Sequence, residues 1–171
     1  MSGAGAPEGG AVRVREYISA DAAALAGIFY RSVRGLGPRH YSDRQVEAWA
    51  PGVPDAAAID ARCRDGRLTL VAVDTTETPV AYAELESDGH IDHLYCAPEF
   101  AGTGLMGELY QELEQTARAW GLTRLYTEAS EAARLFLERR GFHSGGRRDF
   151  VLRGVMIHNY AMDKRLTQGI P

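Results

Sequence analysis

Lysine is nearly missing from this chain: of its 19 basic residues only Lys164 is lysine, and the other 18 are arginine. Arginine carries its charge on a planar fork that suits phosphates, although most of these arginines are expected on a solvated surface. Cysteine is also scarce. Cys63 and Cys96 lie far apart and neither has a second cysteine at metal-ligand spacing, so no disulfide framework is expected. No metal is expected either. His90 and Asp92 alternate onto one face of a strand, but no third ligand is visible beside them. No apolar run approaches the ~20 residues of a membrane-spanning helix. The formal net charge is −4, so no strong field for nucleic acid is expected. Residues 1–10 are small and Gly-rich, lack the apolar centre of a signal peptide, and read as a disordered leader. A cytoplasmic location follows by default.

What remains is an ordinary globular composition, 45% hydrophobic and 25% charged in 171 residues, enough for one domain, taken as residues 11–168. Residues 12–17 alternate and predict a strand. Ser19 can cap a helix over 21–34, Ser42 a second reaching Trp49, and 55–64 reads as a third, closed by Asp65-Gly66. The period then changes. Residues 68–73 are nearly all apolar, as in a strand buried on both faces. Residues 80–86 alternate, Asp88-Gly89 is a hairpin turn, and 91–96 is the next strand. A long helix is expected over 104–120, a short strand over 125–127, a helix capped by Ser130 and ended by Gly141, and two last strands over 142–150 and 155–164. The pattern is α/β, with strands grouped in the middle and helices interleaved.

The segment with the most chemistry is HIDHLYCAPEFAGTGLMGELY, residues 90–110. A strand ends, a proline turn follows, and Gly102, Gly104 and Gly107 lead into the long helix. Glycines admit a ligand close to the backbone, and a helix start offers unpaired N–H groups. Together they predict a pyrophosphate cradle. A Walker loop is excluded because Met106-Gly107 stands where Lys-Ser/Thr is needed. The spacing does fit the dinucleotide fingerprint G-x-G-x-x-G, which alone suggests a nicotinamide oxidoreductase. The βαβ context is missing, however, because hairpin strands precede the loop.

On these residues the chain resembles the Gcn5-related N-acetyltransferases (GNAT superfamily). Their coenzyme A loop, Gln/Arg-x-x-Gly-x-Gly/Ala between a strand and a helix, corresponds to residues 101–106. A later family motif corresponds to 133–142, from Ala133 to Gly141-Phe142. The ending around Ile157-His158-Asn159-Tyr160, with the early His40-Tyr41-Ser42 and Trp49, is similar to a YafP-like subgroup. The resemblance covers about 12–166. It implies a single-domain α+β fold: a central, mostly antiparallel sheet of about seven strands flanked by helices. It also implies acetyl-CoA as co-substrate, bound by Leu94, Tyr95 and Cys96 of one strand, by Ala101, Gly102, Thr103, Gly104, Leu105, Met106 and Gly107, and by Ser130 and Phe136. Three positions depart from the family. Ala101 replaces the Gln/Arg that helps hold the pyrophosphate, Met106 replaces a small residue, and Leu137 replaces the tyrosine that many relatives use to protonate the leaving thiolate.

Amine acylation by a thioester needs a base, a held acceptor and an oxyanion donor. The resemblance puts Asp92 where the histone-acetylating branch carries its base. Glu84 is the other catalytic candidate, and Glu84 or Glu86 can meet a cationic amine. Tyr160 is a candidate acid. His40, Tyr41 and Trp49 are expected to line a pocket for a small-molecule amine, and a homodimer is allowed. The expected activity is N-acyl transfer in a ternary complex. A coenzyme A-binding regulatory or structural module without catalysis is the alternative.

Overall fold

The computed structural model describes residues 11–167, so the expected leader at 1–10 lies outside the described residues. The elements run β1 (Arg13–Glu16), α1 (Ala22–Leu36), α2 (Asp43–Trp49), α3 (Ala56–Cys63), β2 (Leu68–Val73), β3 (Pro79–Leu85), β4 (Ile91–Cys96), α4 (Leu105–Ala119), β5 (Arg124–Ala129), α5 (Glu131–Glu138), β6 (His143–Leu152) and β7 (Val155–Arg165). Two of the three caps read from the sequence are present: the Ser42 hydroxyl accepts from Gln45 N–H and Ser130 from Ala133 N–H. Ser19 does not cap α1; it lies in a 3-10 turn (Ser19–Asp21) that leads into the helix, and its hydroxyl accepts from Arg64. Asp55 caps α3 by accepting from Ala57 N–H. The seven strands form two antiparallel sheets, ordered β1-β2-β3-β4 and β5-β7-β6. The strand expected over 125–127 extends to Arg124–Ala129, because all of it pairs with β7. Among the described residues no helix is long and apolar enough to cross a membrane.

The first sheet is covered on both faces, and β2 shows why its sequence lacks alternation. Leu70 and Ala72 pack with Leu109 and Leu113 of α4, while Val71 and Val73 pack with Leu25 and Ile28 of α1 and Ile59 of α3. In β3, Ala81, Ala83 and Leu85 join the α4 side and Tyr82 the other. Each fully buried leucine here contributes about 1.5–3 kcal/mol.

Among the described residues the two sheets bridge through their backbones at the start of β4. His90 forms a parallel bridge with Tyr126, the Tyr126 N–H donates to Gly89 O (3.0 Å), and the Thr127 hydroxyl donates to Ile91 O (2.7 Å). Further along, β5 is paired to β7 instead of β4. The strands diverge, and the backbone groups of β4 that do not bond β3 face the gap.

Candidate functional site

A cavity of about 420 Å³ occupies that gap, a size suited to a small ligand or a cofactor arm. Its floor is Leu94, Tyr95 and Cys96 of β4. One end is the loop carrying Ala101, Gly102, Gly104, Met106 and Gly107, and one wall is Ser130, Ala133 and Phe136 around α5. Its remaining lining includes His40, Tyr41 and Trp49. Thus one concavity brings together three stretches that lie far apart in sequence. The side chains of Thr103 and Leu105 do not line it: the Thr103 hydroxyl donates to Phe100 O (2.7 Å), and Leu105 is buried against the core.

The loop has its conformation because of two glycines. Gly102 has φ +77° and Gly104, the N-cap of α4, has φ +89°, both left-handed. A Cβ at either position would meet nothing within 4 Å, so both face open space. The first N–H groups of α4 have no partner inside the helix and carry the positive end of its dipole. Gly107 is different: a Cβ there would fall 2.5 Å from Nη2 of Arg140. Arg139 and Arg140 at the end of α5 both line the cavity, and neither was singled out from sequence. The available signal was a pair of adjacent cations just before Gly141.

The aromatic end is held rigidly. Tyr41 is buried; its hydroxyl donates to His158 O (3.2 Å) and accepts from Glu131 N–H (3.1 Å), so it ties α2 to β7 and α5. Trp49 meets Tyr41 edge-on at 5.5 Å between ring centroids and Tyr95 at 6.5 Å. Tyr160, the candidate acid, donates to Glu131 Oε1 (2.7 Å), and His158 Nε2 lies 3.0 Å from the same oxygen. Burial pushes the Glu131 carboxyl up, but the hydrogen bonds from Tyr160, His158 and Arg134 outweigh it and bring it down to about 2. Burial pushes the Cys96 thiol up to about 11 and also raises the Tyr41 and Tyr95 phenols. These groups are protonated near neutrality.

Glu84, Glu86 and Asp92 stand off the cavity wall. Glu84 is wholly buried on the α3 side of β3, where Arg62 donates to it through Nε (3.0 Å) and Nη2 (2.8 Å), and Arg67 Nη1 at 2.9 Å. The expectation that Glu84 and Glu86 share one open face gives way here: the α1–α3 layer covers Glu84, and the pairing of β3 with β4 shifts register at Glu84/Leu85. Asp92 is half-exposed and accepts from the same Arg67 Nη1 at 2.6 Å. Burial pushes its carboxyl up, but Arg67 and the neighbouring histidines pull it below the usual range. The structure also brings a third donor side chain beside His90 and Asp92 that sequence did not show. Ligand atoms of Glu84, Asp92 and His93, and of Glu86, His90 and Asp92, lie within 4.8 Å of one another. In the first group the guanidinium of Arg67 bridges the two carboxylates and supplies the positive charge that they require.

Comparisons with known proteins agree with this geometry. Residues 38–164 match the family model of the acetyltransferase (GNAT) domain. A curated relative, the uncharacterized N-acetyltransferase YafP of Escherichia coli (strain K12), is 26% identical over 151 residues, covering 88% of this chain and 94% of its own. A crystal structure of a GCN5-related N-acetyltransferase from Rhodopseudomonas palustris superposes with a TM-score of 0.82 at 36% identity, covering 90% of this chain and 95% of that one. The PaiA N-acetyltransferase of Thermoplasma acidophilum, solved in complex with coenzyme A, shares the fold with a TM-score of 0.72 at 17% identity, covering 91% of this chain and 99% of that one. The chain belongs to the GNAT acetyltransferase family.

Proposed function

We propose that the protein transfers an acetyl group from acetyl-CoA to a primary amine of a small molecule, by direct attack in a ternary complex. The observation that supports this reading is the single cavity running from the glycine loop, past the unpaired edge of β4, to the aromatic end. A pantetheine arm laid along Leu94, Tyr95 and Cys96 puts its thioester carbonyl within reach of backbone donors on β4, which can stabilise the oxyanion. His40, Tyr41 and Trp49 then enclose an acceptor of modest size.

The acceptor nitrogen bonds to the carbonyl carbon, the C–S bond breaks, and the amine proton must leave. An amine of pKa near ~10 arrives protonated. Among the ionisable side chains that line the cavity, the two arginines are cations, and Tyr41, Tyr95 and Cys96 are held in their neutral forms by burial. His40 is exposed at the rim, and a neutral imidazole offers one ring nitrogen as an acceptor. Proton removal is therefore assigned to His40, directly or through water, ahead of Asp92 and Glu84, which Arg67 engages. Leu137 has no proton for the thiolate, and the Tyr160 hydroxyl is committed to Glu131, so solvent or the imidazolium returns it. The test is a thiol-release assay with acetyl-CoA and a panel of small amines, run beside calorimetric binding of coenzyme A. Turnover with small amines is expected. Binding without turnover on any amine would favour the non-catalytic module, and absence of binding would remove the cavity assignment.

A further inference from the structure

The glycine loop carries no charge of its own, because Ala101 stands where the resembling loop has Gln or Arg. A guanidinium reaches the same place from another element. Arg140 lies over Phe136, its Cζ 3.6 Å from the ring centroid, and its Nη1 donates to Phe136 O (3.3 Å). Its Nη2 presses on the first turn of α4 at Gly107, in space that any side chain there would claim. Among the described residues Arg139 and Arg140 enter no ion pair, whereas nearby Arg118 pairs with Glu114 and Arg134 with Glu131 and Glu138. Partial burial, together with the charge of Arg139, weakens the hold of Arg140 on its proton, so a cation without a counter-ion is kept in an unfavourable setting.

A second groove, of about 580 Å³, lies on the outer side of α4 and is lined by Glu108, Tyr110 and Gln111. It shares Gly104, Gly107, Arg139 and Arg140 with the first cavity. A molecule with one arm in each hollow must cross at these four residues. We propose that Arg140 replaces the missing loop residue and binds the pyrophosphate of the coenzyme at this crossing, with Phe136 as the plate that orients its fork and Gly107 as the space that admits it. The adenosine end then lies in the second groove. This inference rests on the acetyl-CoA reading of the cavity. A fork on a phosphate makes charge-assisted hydrogen bonds, stronger than those between neutral groups.

Calorimetry with coenzyme A and with dephospho-coenzyme A, which keeps the pyrophosphate but lacks the 3′-phosphate, tests it. Arg140→Gln is expected to weaken both ligands by about 10- to 100-fold. Ala101→Arg in that background is expected to restore most of the loss, which no purely structural role of Arg140 explains. Gly107→Ala improves helix propensity while pushing Nη2 away, so affinity should fall without a lower melting temperature. This variant keeps the idea testable even if Arg140→Gln folds poorly. Wild-type affinity in Arg140→Gln or Gly107→Ala overturns the proposal. So does a loss confined to coenzyme A and absent with dephospho-coenzyme A, which places the guanidinium on the 3′-phosphate. A wild-type protein that binds neither ligand sinks the coenzyme reading itself and this inference with it.

Discussion

Replacing Gly104 by aspartate tests the proposed coenzyme role of the glycine loop separately from the rest of the fold. Gly104 is the N-cap of α4 at φ +89° and ψ −11°. Its missing Cβ would enter open space at the cavity mouth, so nothing in the unliganded protein clashes with a new side chain. The left-handed backbone costs a non-glycine residue about 1–3 kcal/mol, and an aspartate at a helix N-cap recovers about 1 kcal/mol of that. The variant should therefore fold with a modestly lower melting temperature. Binding is another matter. The carboxylate would stand within ~5 Å of a pyrophosphate seated on the first turn of α4, and at an effective dielectric near 20 each like-charge pair costs about 3 kcal/mol. Coenzyme A affinity should fall by well over 100-fold. Gly104→Ala carries the same strain without the charge and should lose only a small part of that. Calorimetry on both variants, with melts as controls, checks the reasoning. A folded Gly104→Asp protein that binds coenzyme A as the wild type does would refute the site.

Glu84→Gln should lower stability by about 3–5 kcal/mol, since it leaves Arg62 and Arg67 facing a neutral group in a buried pair. A stable variant impaired only in turnover would return Glu84 to the catalytic group. Trp49→Ala should raise the Michaelis constant for the acceptor far more than that for acetyl-CoA, and equal changes in both would detach Trp49 from the acceptor end. Tyr41→Phe should cost stability as well as acceptor binding, because its hydroxyl ties three elements, and steady-state kinetics beside a melt checks this. Glu114 accepts from Lys164 Nζ (2.6 Å), Tyr110 and Arg118. Burial opposes these contacts, but they hold its carboxyl at about 2. Its folded-state pKa is depressed, so the stability it adds is present above about pH 4.5 and is lost as pH falls toward 2. Denaturant melts across that range should show this loss, and Glu114→Gln should flatten it.

The order of elements was legible because their signals are local. Ser42 and Ser130 cap helices in the structure as their side chains suggest, whereas Ser19 is drawn into a 3-10 turn ahead of α1, and the unbroken apolar run of β2 reports two covered faces before either cover is known. The glycine loop was legible for the same reason: Gly102 and Gly104 encode left-handed turns within three residues, next to a helix start. What sequence did not determine concerns which residues share a face. Glu84 alternates with Ala83 and Leu85 like an open-face residue, but only the packing of α3 on β3 shows that Arg62 covers it. The third ligand atom beside His90 and Asp92 comes from Glu86, placed by a hairpin and a register shift. Arg140 reaches Gly107 across 33 positions of chain, and no periodicity encodes that meeting. The split of seven strands into two sheets is likewise a tertiary decision: β5 bonds to β7 along its whole length. That long-range pairing holds β4 and β5 apart and opens the cavity between them.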